Sequence, residues 1–154
     1  MAASVFDRLH DKLRAGGVPF TVLRHEPVYT SEQAAAVRGT PLASGAKALV
    51  VRADDRFALL VLPADRRLDN RKARACLKAK SVHFASRDEV ESLTGLQPGS
   101  IPPFGSLFGL PTTCDPALAE SASINFNAGD HAISVQMPYA DYVRLEQPTL
   151  APMT

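Results

Sequence analysis

The sequence predicts an α/β (α+β) fold, a mixed or mainly antiparallel β-sheet with helices packed on it, in a single domain spanning residues 1–154. Three observations point there. Stretches with helical spacing of apolar residues are interspersed with stretches of β-branched and aromatic residues alternating at period two. Several neighbouring strand candidates are joined by turns too short for the crossover that parallel pairing requires. The 154 residues, 45% hydrophobic and 21% charged, suffice to bury a core without disulfide or metal support, and the sequence shows neither low complexity nor repeats.

Ser4 is placed to cap a first helix whose apolar positions Val5, Phe6, Leu9 and Leu13 follow helical spacing, and Gly16-Gly17 stops it. Phe20, Val22 and Leu23 read as a strand leading to His25-Glu26-Pro27-Val28-Tyr29. Thr30 with Gln33 makes a capping box for a short Ala-rich helix over 31–37, and Arg38-Gly39-Thr40-Pro41 is turn chemistry. Two strands follow, over 46–51 and 57–62, with Asp54-Asp55 suited to the hairpin turn between them. Asp69 or Asn70 starts a helix running to Leu77, and residues 82–84 form a short strand. Ser86 with Glu89 makes a second capping box, for a helix ending at Gly95. The 12 prolines cluster between residues 98 and 116 and in the last residues, which marks shaped loops more than a linker. Asp115-Pro116 opens another short helix. Residues 124–127 and 132–137 are further strands around an Ala-Gly-Asp turn, and Pro138 begins a last helix carrying Tyr139, Tyr142, Val143 and Leu145.

Lys47 is out of keeping with its surroundings, because period-two alternation puts it on the same strand face as Leu49 and Val51. An end-of-strand lysine reaching solvent is the more ordinary explanation of its strand context. The other is a partly desolvated cation aimed into a cavity, where it would bind an anion or a carbonyl. The run from Leu93 to Gly105, rich in glycine and proline, suits a rigid loop presenting backbone groups to a small polar substrate, although an ordinary connector has the same composition. Asn127-Ala128-Gly129 before His131 is hairpin chemistry, and His131 is either structural or an acid, base or donor. Arg66, Arg67, Arg71, Lys72, Arg74, Lys78 and Lys80 place seven of the 17 basic residues within fifteen positions. Of these, Arg67, Arg71, Arg74 and Lys78 recur at helical spacing on one face. Such a run is usually a solvated face, but its near-single sign is also what a phosphate backbone requires.

Several functional classes are set aside by what is missing. A formal charge of +1 confines any RNA contact to a local patch and gives no reason to expect DNA binding. Cys76 and Cys114 are too few for a disulfide framework and lack metal-ligand spacing, and His25, His83 and His131 are scattered. No G-x-S-x-G elbow, P-loop, dinucleotide fingerprint or H-E-x-x-H occurs. No stretch approaches the roughly 20 apolar residues of a membrane span, so the cytoplasm is the expected location and no membrane contact is expected.

Four blocks of the sequence together resemble the YbaK/prolyl-tRNA synthetase insertion-domain superfamily of aminoacyl-tRNA deacylases. They are His25-Glu26-Pro27-Val28-Tyr29-Thr30 with the following Ser-Glu-Gln-Ala, Gly45-Ala46-Lys47-Ala48-Leu49-Val50, Leu93 to Gly105, and Asn127-Ala128-Gly129 before a strand. Arg38-Gly39-Thr40-Pro41-Leu42 leans toward the YeaK-like branch, and the resemblance covers about residues 5–148. It implies a strongly curved, barrel-like sheet surrounded by helices. It also implies cytoplasmic trans-editing, the hydrolysis of the ester joining a wrong amino acid of Ala, Ser, Thr or Cys type to the 3′-terminal adenosine of tRNA.

Lys47 is then the key functional residue, better cast as a cationic anchor than as a nucleophile. Tyr29, Thr30, Gly95, Pro98, Gly99, Ser100, Asn127 and Gly129 fall to substrate binding, with the 95–100 loop supplying backbone groups that hold the aminoacyl moiety and water. His131, where family members differ, is assigned to substrate selection or water positioning. No metal and no organic cofactor is implied. The partners are aminoacyl-tRNA and an aminoacyl-tRNA synthetase, and a tRNA contact through Arg67, Arg71, Arg74 and Lys78 is read from charge pattern alone. An activated ester needs mainly one oriented water and oxyanion stabilisation, which fits the missing nucleophile. The alternative is a non-catalytic tRNA- or synthetase-binding module of the same fold.

Overall fold

Local sequence signals set the helix ends. In a computed structural model that describes residues 3–154, α1 (Val5–Ala15) begins where Ser4 accepts a hydrogen bond from the Asp7 N–H, and it buries Leu9 and Leu13. Met1 and Ala2, where the expected domain begins, lie outside the described residues. Both expected capping boxes form. Thr30 and Gln33 start α2 (Ser31–Arg38), Ser86 and Glu89 start α4 (Arg87–Thr94), and Gly39 and Gly95 end these helices in the left-handed conformation. Asp69 caps α3 (Asn70–Leu77), and α5 (Tyr139–Glu146) follows Pro138.

The strands form two sheets. The larger has the order β4 (Val82–Phe84), β2 (Ala46–Ala53), β3 (Arg56–Pro63), β5 (Thr112–Cys114), β8 (Thr149–Leu150). The smaller runs β1 (Thr21–Arg24), β7 (Ile133–Pro138), β6 (Ser123–Asn127). β5 pairs in parallel with β3 and with β8, and the other pairs are antiparallel, which makes the arrangement mixed as expected. One parallel bridge, Gly45 to Asn125, joins the sheets. Among the described residues they do not close into a barrel, so the curved sheet that the resemblance implies is realised as two pieces meeting along a seam.

β2 and β3 are tightly coupled because their turn is only Asp54-Asp55. Asp54 sits at φ 56°, and its carboxylate accepts from the Lys80 and Ser81 N–H groups, which locks the turn and carries β2 past the expected end at Val51. β3 is buried on both faces, which explains its nearly continuous apolar run. Leu59 and Val61 join a larger core with Leu9, Phe104, Phe126 and Tyr142, while Ala58 and Leu60 join a smaller one with Ala73, Val82 and Met153. β5 and β8 escape sequence reading because three and two residues are too short to show a period.

Candidate active site

A cavity of about 220 Å3 opens at the seam, on either side of the Gly45–Asn125 bridge. One wall is α2 with its leading residues, Tyr29, Thr30, Ala34 and Arg38. The start of β2 supplies Lys47 and Leu49, β6 supplies Asn125 and Asn127, and the loop after α4 supplies Gly99 and Ile101. Tyr29, Thr30, Lys47, Gly99 and Asn127, expected from separate parts of the sequence, are thus brought to one space.

Sheet register fixes Lys47 opposite Leu62, and the side chain is half-buried. Its Nζ donates to the Arg66 carbonyl at 3.0 Å. Burial lowers its pKa from the ordinary 10.5; Glu32 pushes it back up, Arg67 down and Asp65 up. Among the described residues the ion pairs are Arg66–Glu120 and Arg144–Asp141, so Glu32 and Asp65 act on Lys47 from a distance and no carboxylate is in ion-pair contact with it. The strand alternation that made the lysine look out of place therefore leads it to a cavity wall.

Arg38, which the sequence offers as turn chemistry and as part of the branch-specific block but not as a site residue, is the second cation of the cavity. Its Nε donates to Ser134 Oγ at 2.8 Å and an Nη to Asn127 Oδ1 at 2.9 Å. Desolvation by burial brings its pKa down to about 10. Asn127 in turn donates from Nδ2 to the Gly99 carbonyl at 2.7 Å. Asn125 was also missed. It is 4% exposed, donating to Ser44 Oγ at 2.9 Å and accepting from Gln136 Nε2 at 3.1 Å. A lone polar residue in an apolar strand was the only sequence signal available for it.

Tyr29 is 69% exposed at the mouth, its ring centroid 4.7 Å from that of His131. The Thr30 hydroxyl is engaged as the α2 cap, accepting from the Gln33 N–H at 3.1 Å. Gly95, Pro98, Ser100, Gly129 and His131, expected at the site, do not line the cavity. Gly95 is the left-handed end of α4, and the buried Ser100 donates from its hydroxyl to the Gln97 carbonyl while its own carbonyl accepts from the Gly129 N–H. Gly99 is at φ 91°, and a Cβ there would reach the His131 ring at 3.5 Å. His131 Nδ1 donates to the Val28 carbonyl at 3.1 Å, leaving Nε2 buried without a partner among the described residues. Arg67, Arg71, Arg74 and Lys78 are exposed along and just beside α3, in the segment whose start, Arg66, holds Lys47.

No histidine, cysteine or carboxylate lines the cavity among the described residues. Cys114 is buried elsewhere with its thiol pushed up to about 12, which makes it a poor nucleophile. The described residues gather no cluster of three or more His, Cys, Asp or Glu side chains. The wall supplies cations, amides, hydroxyls and backbone groups. That set can hold an oxygen-rich ligand and stabilise negative charge developing on it.

Comparison with known proteins gives a consistent result. The family model described as aminoacyl-tRNA editing domain matches residues 25–145. The multifunctional Ser/Thr-tRNA deacylase ProXp-y of Escherichia coli (strain K12) is 38% identical over 148 residues, covering 93% of this chain and 89% of that protein. Proline–tRNA ligase of Bacillus subtilis (strain 168) is 30% identical over 110 residues, 70% of this chain but 20% of the ligase. Among solved structures, a protein proposed to be a trans-editing enzyme for prolyl tRNA synthetase superposes with a TM-score of 0.85 at 22% identity. That match covers 100% of this chain and 99% of the other, a likeness of fold.

Proposed function

The chain belongs to the aminoacyl-tRNA editing domain family, and from that premise we propose that it is a deacylase removing serine, threonine or a similarly small amino acid from mischarged tRNA. The observation that carries this reading is the seam cavity, where Thr30, Lys47, Gly99 and Asn127 converge around a cation with no carboxylate partner. We read the whole 154 residues as one editing domain acting in the cytoplasm; no helix among the described residues is long and apolar enough to cross a membrane.

Lys47 acts as the cationic anchor. Among the described residues its Nζ is held by one backbone carbonyl, which a phosphate or carbonyl oxygen of the substrate can replace. The Gly99 N–H has no acceptor among the described residues, so it is available to the oxyanion. Water adds to the ester carbonyl carbon, the acyl carbon–oxygen bond breaks, and the departing ribose oxygen takes a proton. The neighbouring ribose hydroxyl relays that proton, since no cavity side chain is a histidine or carboxylate. The products are the free amino acid and tRNA with an unesterified 3′ end.

Tyr29 and Thr30 shape the mouth, and Asn127 holds the Gly99 carbonyl. Gly95, Pro98, Ser100 and Gly129 set the loop from behind. His131 acts on acyl selection through Gly99 and Tyr29, which it contacts. The acceptor stem lies over Arg67, Arg71, Arg74 and Lys78, which begin beside the Lys47 anchor. Similarity to a segment of proline–tRNA ligases supports a synthetase as further partner.

A deacylation panel tests the reading: Ala-, Ser-, Thr- and Cys-charged tRNA with wild type and Lys47→Ala. Release of serine or threonine by wild type and its loss in a folded Lys47→Ala is the expected outcome. Binding of tRNA without turnover across the panel would replace the enzyme with a binding module.

A further inference from the structure

We propose that Arg38 is a positioning residue of the hydrolytic site, one that fixes the Asn127 amide and, through it, the Gly99 peptide. The inference rests on reading the cavity as the editing site.

Hydrogen-bond polarity carries the argument. Arginine only donates. Arg38 therefore forces the Asn127 oxygen toward itself, at 2.9 Å, and leaves the Asn127 nitrogen to face the Gly99 carbonyl at 2.7 Å. Replacing the guanidinium by a group that can also accept would let the amide turn over and lose the Gly99 contact. The other end of Arg38 is equally determined. Its Nε donates to Ser134 Oγ, so the Ser134 proton is directed to His25 Nε2 at 2.8 Å, while His25 Nδ1 donates to the Glu26 carbonyl at 2.7 Å. From Glu26 to Gly99 every donor meets an acceptor.

Geometry explains why the position needs a fork. Asn127 and Ser134 are cross-strand partners on β6 and β7, and Arg38, the last residue of α2, spans both acceptors at once. The C-terminal end of α2 favours the positive charge, and no carboxylate among the described residues competes for it. Its remaining Nη lies 4.0 Å from where a Cβ on Gly45 would stand, which puts the guanidinium at the cavity floor. Gly99, at φ 91°, holds a backbone conformation that favours glycine, and the Asn127 latch fixes its carbonyl.

The test combines kinetics with NMR on the intact protein. Single-turnover deacylation of Ser-tRNA is measured for wild type, Arg38→Gln, Arg38→Lys, Asn127→Ala and the Arg38→Gln/Asn127→Ala double variant. We expect Arg38→Gln to lower kcat about 100-fold with KM within about threefold, as for a misplaced rather than a missing binding group. The double variant falls no more than about threefold below the worse single one, because both act through one contact. Arg38→Lys recovers about tenfold. In folded Arg38→Gln the Asn127 side-chain amide and the Gly99 N–H resonances shift, and the amide loses exchange protection.

Losses that multiply in the double variant, or unchanged Asn127 and Gly99 signals, overturn the proposal. Should Arg38→Gln fail to fold, Arg38→Lys decides: full wild-type kcat there overturns it as well. Absence of turnover in wild type would instead remove the editing reading, and the NMR arm still decides whether Arg38 sets the Asn127 amide.

Discussion

The two cations of the cavity are held in opposite ways. Lys47 stands on a strand and, among the described residues, its side chain has one hydrogen bond, to a main-chain oxygen that other donors can satisfy. Arg38 stands at a helix end and is tied to two side chains on two strands, one of which latches the Gly99 loop. On the proposed function the first changes partners when a substrate arrives, and the second is part of the frame. Positive charge would then serve as a ligand on one wall and as a scaffold on the other. Removing Lys47 should cost chemistry without structure, while disturbing the amide-bearing wall costs both.

The largest expected effect separates these roles most sharply. Lys47→Ala should lower kcat/KM about 1000-fold, the scale of losing an oxyanion or anion donor, yet leave unfolding free energy within about 1 kcal/mol of wild type. A parallel loss of stability would erase the contrast. Asn125→Ala, on the framework side, should destabilise by about 2 kcal/mol in urea unfolding, because it removes a buried amide that bonds both Ser44 and Gln136. Unchanged stability there would show that the polar wall is not a frame.

Replacing Arg67, Arg71, Arg74 and Lys78 together by Gln should raise KM about tenfold at moderate salt with kcat unchanged, and flatten the salt dependence of KM. Equal kinetics would confine the ligand-binding charge to the cavity itself.

The smallest effect is a pH dependence. Burial lowers the Lys47 pKa, so the folded protein binds that proton less tightly than the unfolded chain. At neutral pH both states are protonated and the folded state carries the cost. That cost fades as pH rises through the folded pKa toward 10.5. Lys47→Met should therefore be the more stable protein at pH 7, with the gap narrowing by pH 10. Urea midpoints of the two proteins at both values check it, and a widening gap would contradict the burial of the ammonium.

What sequence reveals here follows the range of the interaction. The capping boxes at Thr30 and Ser86 and the turn at Asp54 are written within three or four residues, and all three are found where expected. Lys47 is legible because period-two alternation marks a charge among Leu49 and Val51. Arg38 is not, since its acceptors lie 89 and 96 residues away and only the packing of α2 on β6 and β7 brings them together. Locally it is a residue before a glycine, which is turn chemistry and nothing more. The family blocks named Gly95, Pro98, Ser100, Gly129 and His131 together with Gly99 and Asn127, yet only the last two line the cavity. That distinction depends on which way a loop turns at φ 91°, which no local pattern records.

Among the described residues the two sheets share one main-chain bridge, Gly45–Asn125, and the cavity straddles it. The rest of the joint is side-chain packing, with Val50 and Leu59 of one sheet in the same core as Ile124 and Phe126 of the other. On the proposed reading, the width offered to an acyl group is therefore set partly by core residues that never meet it, such as Val50 and Ile124, which stand outside the cavity wall. For evolution this makes acyl preference adjustable in small steps. A lineage can widen or narrow the opening from behind while the anchor and the latch keep their places.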